Sequence, residues 1–316
     1  MAGKINKKVY WRGRIATLWY NTSESIAYML TYRRTPKTIC YEKRMAYGEE
    51  KQQYYNAFYR KDLKDKEKPL MVYIHGGGFI SGITDMRNTY VKNFAERGFY
   101  AASVSYTYAP KKVFPEPLQE VCSAIDELFD KAKEKKIDVK NVLLAAESAG
   151  VYFMFMLAAL ATEQGLADKL GIRFRHVHDI EIKGMISHSG CIDLKSLLDE
   201  EKPQSKFPDI KMMTCSFLGK TYEEAWEYLN SPDGENVSAK INEKFPPTFF
   251  ATGANDWLRY ESYDAMETYD KYKIPYAKYE GTGAFAAHAW TIATVLKKGK
   301  ECLNQTFAFF APYFPI

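Results

Sequence analysis

No apolar run in this sequence is long enough to span a bilayer. The longest, residues 151–161 (VYFMFMLAALA), is about half of the roughly 20 residues a spanning helix needs, and it reads as a buried helix. Cysteine is sparse: there are five, an odd number, and no two form a CxxC pair. That spacing excludes a disulfide framework and a zinc ribbon, and fits a reducing compartment. Charge of one sign is not in excess, with a net charge of +5. No basic block interleaves with aromatics, which excludes a nucleic-acid surface of the usual kind. The run KAKEKK at 131–136 reads as a solvated helix face, and KDLKDKEK at 61–68 as a charged turn. The opening MAGKINKKVYWRGR has no apolar centre, so a secretory leader is not expected and a cytoplasmic location is. Internal repeats and low-complexity segments are absent too.

What is present is enough apolar sequence, 46% of 316 residues, for one large α/β domain or two ordinary ones. Residues 41–47 and 52–60 read as two strands around Gly48. Then apolar runs alternate with segments of helical spacing. Strands are expected at 70–74, 100–106, 142–146, 180–187, 247–252 and 276–280. Helices are expected at 86–97, 118–135, 151–161, 260–272 and about 290–310. This alternation implies a mostly parallel sheet with helices on both faces. It lapses at residues 194–245, which read as an insertion. Residues 1–40 carry scattered apolar positions that fit two short helices.

The chemistry concentrates at the ends of the expected strands. Residues 141–152 (NVLLAAESAGVY) form a strand, a tight turn and a helix, with small residues two places either side of Ser148. Such spacing leaves room for a strained turn that lifts a serine hydroxyl clear of the sheet, the nucleophile-elbow pattern. Three glycines follow the strand at 70–74, in His75-Gly76-Gly77-Gly78-Phe79, and can present backbone N–H groups to a ligand. Asp256 follows one later strand and His288 the last. Acyl transfer by serine needs a nucleophile, a base, an acid that orients the base, and oxyanion donors. These segments can supply all four, in the chain order serine, acid, histidine.

Taken together, HGGGF (75–79), YTYAP (106–110), FPEPLQEV (114–121), ESAG (147–150), FPPTFFATGANDWL (245–258) and the late His288 resemble the hormone-sensitive-lipase-type carboxylesterases of the α/β-hydrolase class, including bacterial family IV. The likeness covers about residues 41–310. It implies a single α/β-hydrolase domain capped by N-terminal elements at about 1–40 and an insertion at about 194–245. It implies Ser148 as nucleophile, His288 as base and Asp256 as orienting acid. The N–H groups of Gly77, Gly78 and Ala149 would form the oxyanion hole, with no cofactor and no metal. The sequence departs from the pattern at Ala146, Val151 and Ala289, where many relatives carry glycine.

Phe79, Tyr106, Phe217, Trp257 and Trp290 can line an acyl pocket, although each can equally be plain core. His188, in SHSG, is a rival histidine, but its strand precedes the acid. Asp193, Glu261 and Asp264 are rival acids. Glu147 reads as a support of the elbow. His176 and His178 have metal-like spacing without a supporting carboxylate or cysteine pattern, so an exposed loop is expected. The expected activity is hydrolysis of small-molecule carboxylic esters of short to medium acyl chain by a monomer or homodimer, without nucleic acid or membrane insertion. The alternatives are an arylformamidase-type amidase and a catalytically silent ligand-binding protein of the same fold.

Overall fold

The computed structural model describes residues 17–18, 32–202, 209–283 and 286–315. Eight strands form one sheet: β1 (Ile39–Ala46), β2 (Tyr54–Arg60), β3 (Lys68–Ile74), β4 (Tyr100–Val104), β5 (Ile137–Glu147), β6 (Ile182–His188), β7 (Thr248–Gly253) and β8 (Tyr276–Gly281). Their spatial order is β1-β2-β4-β3-β5-β6-β7-β8. β2 runs antiparallel to both β1 and β4, and every pairing from β4 to β8 is parallel. The parallel strands have both faces covered, which is why β3, β4 and β7 are apolar nearly throughout rather than alternating.

The main helices are α1 (Asn88–Glu96), α2 (Glu116–Asp130), α3 (Ala149–Thr162), α4 (Ile210–Leu218), α5 (Tyr222–Asn230), α6 (Arg259–Tyr272) and α7 (Lys297–Phe310). α1 and α7 pack on one face of the sheet, around Tyr73, Phe94, Phe249 and Phe310. α2, α3 and α6 pack on the other, in a larger core that also takes in Met213 and Phe217 of α4. α3 is buried along most of its length, as its apolar run requires.

Three expected boundaries move. β4 ends at Val104, and the expected helix at 118–135 is α2 followed by a separate turn, Ala132–Lys135. The last helix starts at Lys297, not near 290, because Trp290–Ile292 forms a lone 3₁₀ turn. The insertion at 194–245 contains α4 and α5 and contributes no strand among its described residues. The two helices expected within residues 1–40 lie almost wholly outside the described residues.

Candidate active site

β5 hands over to α3 at Ser148, whose φ of +51° and ψ of −127° no ordinary turn requires. The strain is held from three sides. The Ser148 N–H donates to the His188 carbonyl at 3.0 Å, and the Ser148 carbonyl accepts from Cys191 N at 3.1 Å and Val151 N at 3.0 Å. Gly150 is required here: a Cβ would lie 2.3 Å from the Ile74 carbonyl oxygen and 2.7 Å from that of His75. Ala146, in place of the usual glycine, fits inside β5 as a fully buried residue. Beneath the turn, the Glu147 carboxylate is buried. It accepts from the Arg87 guanidinium at 2.5 Å and from the Tyr73 hydroxyl. Glu147 is thus the support of the elbow that its position implies.

The parallel sheet brings the other two groups to the same edge. His288 Nε2 lies 2.9 Å from Ser148 Oγ, and His288 Nδ1 lies 3.0 Å from Asp256 Oδ1. The Asp256 side chain has no exposure to solvent, while the His288 side chain retains 28%. Burial alone would push the Asp256 carboxyl up. Hydrogen bonds from His288, Ser189 and the Leu258 N–H outweigh it and hold Asp256 below the ordinary carboxylate range. Thr252 Oγ1 adds a longer bond at 3.4 Å. Chemically, this chain can take the serine proton onto an imidazole whose opposite nitrogen faces a fixed negative charge.

The glycine loop leans on the elbow, since a Cβ on Gly76 would come within 2.8 Å of Ser148 Cβ. Gly77 and Gly78 have φ of +115° and +58°. The Gly77 carbonyl turns inward to accept from Ile80 N, Ser81 N and Ser81 Oγ. The N–H groups of Gly77 and Gly78 donate to no described residue. Ala149 is the first residue of α3, so its N–H has no partner within the helix. All three N–H groups thus lie in the glycine loop or directly after Ser148 and donate to no described residue.

The rival residues are occupied elsewhere. His188 is fully buried between the Tyr90 hydroxyl and Thr291 Oγ1, each at 2.7 Å, and burial pulls its imidazole down to about 3. Glu261 accepts from Ile192 N at 2.9 Å, Asp193 N at 2.7 Å and the Ser196 hydroxyl, and burial pushes its carboxyl up to about 7. Asp193 is bound to Ser238, and Asp264 to Lys202. His176 bridges Asp130 and Asp179 on an external loop.

Three of the five proposed pocket residues are corrected. Phe79, Tyr106 and Phe217 are at most 1% exposed and offer no surface to a substrate. Phe217 stacks on Phe79 at 4.2 Å between ring centres, and Tyr106 stacks on His75 at 4.4 Å. Tyr152 and Phe153 close edge-on against Phe79. The reason is physical: flat rings stack to fill the space behind the glycine loop, and that space is then core. Trp290 lies across glycine backbone, since a Cβ on Gly281 would fall 1.8 Å from its ring. Trp257 does stand at the site, half-buried and 5.6 Å from the His288 ring. Sequence reading passed over Ser189, whose Oγ accepts from Ala289 N at 2.9 Å. Its signal was the small, polar pair Ser189-Gly190 directly after β6.

Comparisons with known proteins find the same fold. Esterase B from Lactobacillus rhamnosus superposes with a TM-score of 0.81 over 97% of this chain and 96% of that one, at 17% identity. The same esterase has been solved inhibited by a C4-C4 tributyrin phosphonate, which superposes with a TM-score of 0.78 over 98% of this chain and 96% of that one, at 17% identity. The expected α/β-hydrolase architecture is borne out by this likeness in fold. A Gibberella moniliformis protein named esterase is 29% identical over 110 residues, 34% of this chain. The match spans only 35% of that fungal relative. The BD-FAE family model matches residues 57–261, more than half of the sequence, and on that ground the chain belongs to the BD-FAE family.

Proposed function

We propose that this protein is a serine hydrolase of small carboxylic esters. Ser148 Oγ attacks the ester carbonyl while His288 Nε2 takes its proton. Asp256 keeps the imidazole oriented and stabilises it once charged. The tetrahedral oxyanion rests on the N–H groups of Gly77, Gly78 and Ala149. His288 returns the proton to the leaving alcohol. Water, activated by the same imidazole, then releases the acyl group from Ser148. No cofactor or metal enters these steps.

The observation that carries this reading is the unbroken chain from Ser148 Oγ through His288 to Asp256, at 2.9 and 3.0 Å, on a positive-φ elbow. The silent-binding alternative is disfavoured by the same histidine, held within reach of the serine. The acyl chain is short to medium. Supporting this are the closed aromatic packing behind the glycine loop and the tributyrin-type inhibitor of the structurally similar esterase B. The site acts on small molecules, and we place the protein in the cytoplasm. Among the described residues no helix is long and apolar enough to cross a membrane.

The test is hydrolysis of p-nitrophenyl esters from acetate to palmitate, with Ser148→Ala and His288→Ala alongside. Activity peaking at short chains and abolished in both variants is the expected result. Unchanged activity in either variant overturns the assignment.

A further inference from the structure

The segment leaving β6 touches all three parts of the candidate triad. His188 accepts from Ser148 N at 3.0 Å, and Cys191 N donates to the Ser148 carbonyl at 3.1 Å. Between them, Ser189 reaches the other two loops. Its N–H donates to Ala251 of β7 at 2.8 Å, the strand that leads to Asp256. Its Oγ accepts from the N–H of Ala289, the residue after His288, at 2.9 Å. A hydroxyl has one proton, and with a lone pair committed to Ala289 that proton is free to be donated. The neighbouring Ser189 hydroxyl is among the groups that hold the Asp256 carboxyl below its ordinary range. Sheet order makes this meeting possible, because β6 lies between β5, which carries the serine, and β7, which carries the acid.

We infer that Ser189 is a positioning residue of the hydrolase: its hydroxyl holds the histidine loop while its N–H holds β7, the strand that leads to the acid, fixing His288 between Ser148 and Asp256. The inference rests on the serine-hydrolase reading above. The backbone adds an independent argument. Ser189 is fully buried and holds φ at +50°. Glycine meets that conformation without strain, whereas a serine there is strained. A strained residue at the centre of a functional cluster, kept with a side chain that bonds the histidine loop, is the pattern expected where the side chain is needed. Ser189 need not touch substrate. It acts through the placement of His288.

This separates folding from catalysis in one experiment. Ser189→Gly removes the hydroxyl and relieves the backbone, while Ser189→Ala removes the hydroxyl and keeps the strain. Each is compared with the wild type and Ser148→Ala for p-nitrophenyl acetate hydrolysis, fluorophosphonate labelling and Tm. The expected result is a kcat about 10- to 100-fold lower in both Ser189 variants, the size of loss a small misplacement of a reacting group produces. KM stays within about threefold, because no substrate contact is lost. Tm in Ser189→Gly equals or exceeds that of the wild type. Wild-type kcat in a stable Ser189→Gly overturns the inference. So does a loss confined to Ser189→Ala that follows its Tm. If the wild type neither hydrolyses the ester nor labels at Ser148, the serine-hydrolase reading itself fails and this inference falls with it. Labelling in the wild type but not in Ser148→Ala keeps that reading whatever the Ser189 variants do.

Discussion

Ala289 holds φ at +54° directly beside His288, a conformation in which its Cβ is crowded. Glycine there removes the crowding but gives the unfolded chain more freedom. The first effect is the larger, so Ala289→Gly raises stability by roughly 0.5–1 kcal/mol, read as a higher midpoint in urea. Gly150 and Gly78 make the opposite case. A Cβ on Gly150 meets two backbone carbonyls, which cannot step aside without moving β3 away from the elbow. A Cβ on Gly78 meets Met213 Sδ at 2.3 Å, the flexible end of a side chain, though at a φ of +58°. Gly150→Ala is therefore expected to lose more than about 3 kcal/mol, and Gly78→Ala distinctly less. Equal losses in thermal unfolding would contradict the distinction between rigid backbone and movable sulfur.

At the scale of elements, buried charge decides how β5 and β6 respond to pH and mutation. The fold holds His188 neutral, with its titration near 3 against 6.5 when unfolded. Below pH 6.5 the unfolded chain therefore takes up a proton that the fold refuses. The His188 contribution to stability falls as pH drops from about 6.5 toward 3, with a limiting slope of about 1.4 kcal/mol per pH unit. Glu261 acts with the opposite sign. Its folded value near 7 lies above its ordinary 4.5, so its contribution is full below 4.5 and is lost as pH rises through 7. Urea unfolding at pH 4, 5, 6 and 7 is expected to show a shallower acid loss in His188→Gln than in the wild type. Parallel curves would mean that His188 titrates in the fold as it does in the open chain. Beneath the elbow, Arg87→Met leaves the Glu147 carboxylate buried with its cation gone, and about 3–5 kcal/mol is expected to be lost.

The same elements show what a sequence discloses. Every strand was legible: the central ones, covered on both faces, are apolar runs, and turn residues bound the edge strands β1 and β8. The meeting of Ser148, His288 and Asp256 was legible because each follows a strand on one parallel edge, so chain order alone implies convergence. The Trp290 turn was not, because its residues carry helical spacing while the ring lies over Gly253 and Gly281 of distant strands. Nor was the burial of Phe79, Tyr106 and Phe217, since aromatic residues beside a glycine loop read alike whether they face a ligand or one another. Only packing distinguishes the two.

For the whole molecule, the sheet divides two cores, and the larger one extends into the insertion through α4. Phe217 of α4 stacks on Phe79, meets Phe114 edge-on at 5.6 Å, and its carbonyl accepts from Phe114 N at 2.8 Å. Met213, one turn earlier, stands over Gly78. The glycine loop is thus backed by the insertion as well as by the elbow and α3. Beyond this aromatic wall lies a cleft of about 570 Å³ lined by Val113, Phe114, Leu218 and Tyr228, among others. A smaller side chain at 217 thins the wall between that cleft and the glycine loop. Phe217→Leu is expected to cost about 1–2 kcal/mol, the loss of part of a fully buried ring. It should also shift the p-nitrophenyl ester preference toward longer acyl chains, with kcat/KM for octanoate rising relative to acetate. A stability loss without any change in that ratio would mean that the wall supports the loop but does not bound the acyl site. A changed ratio would mean that the insertion sets chain length, and that substrate range in this chain is decided by α4 rather than by the sheet edge that carries the triad.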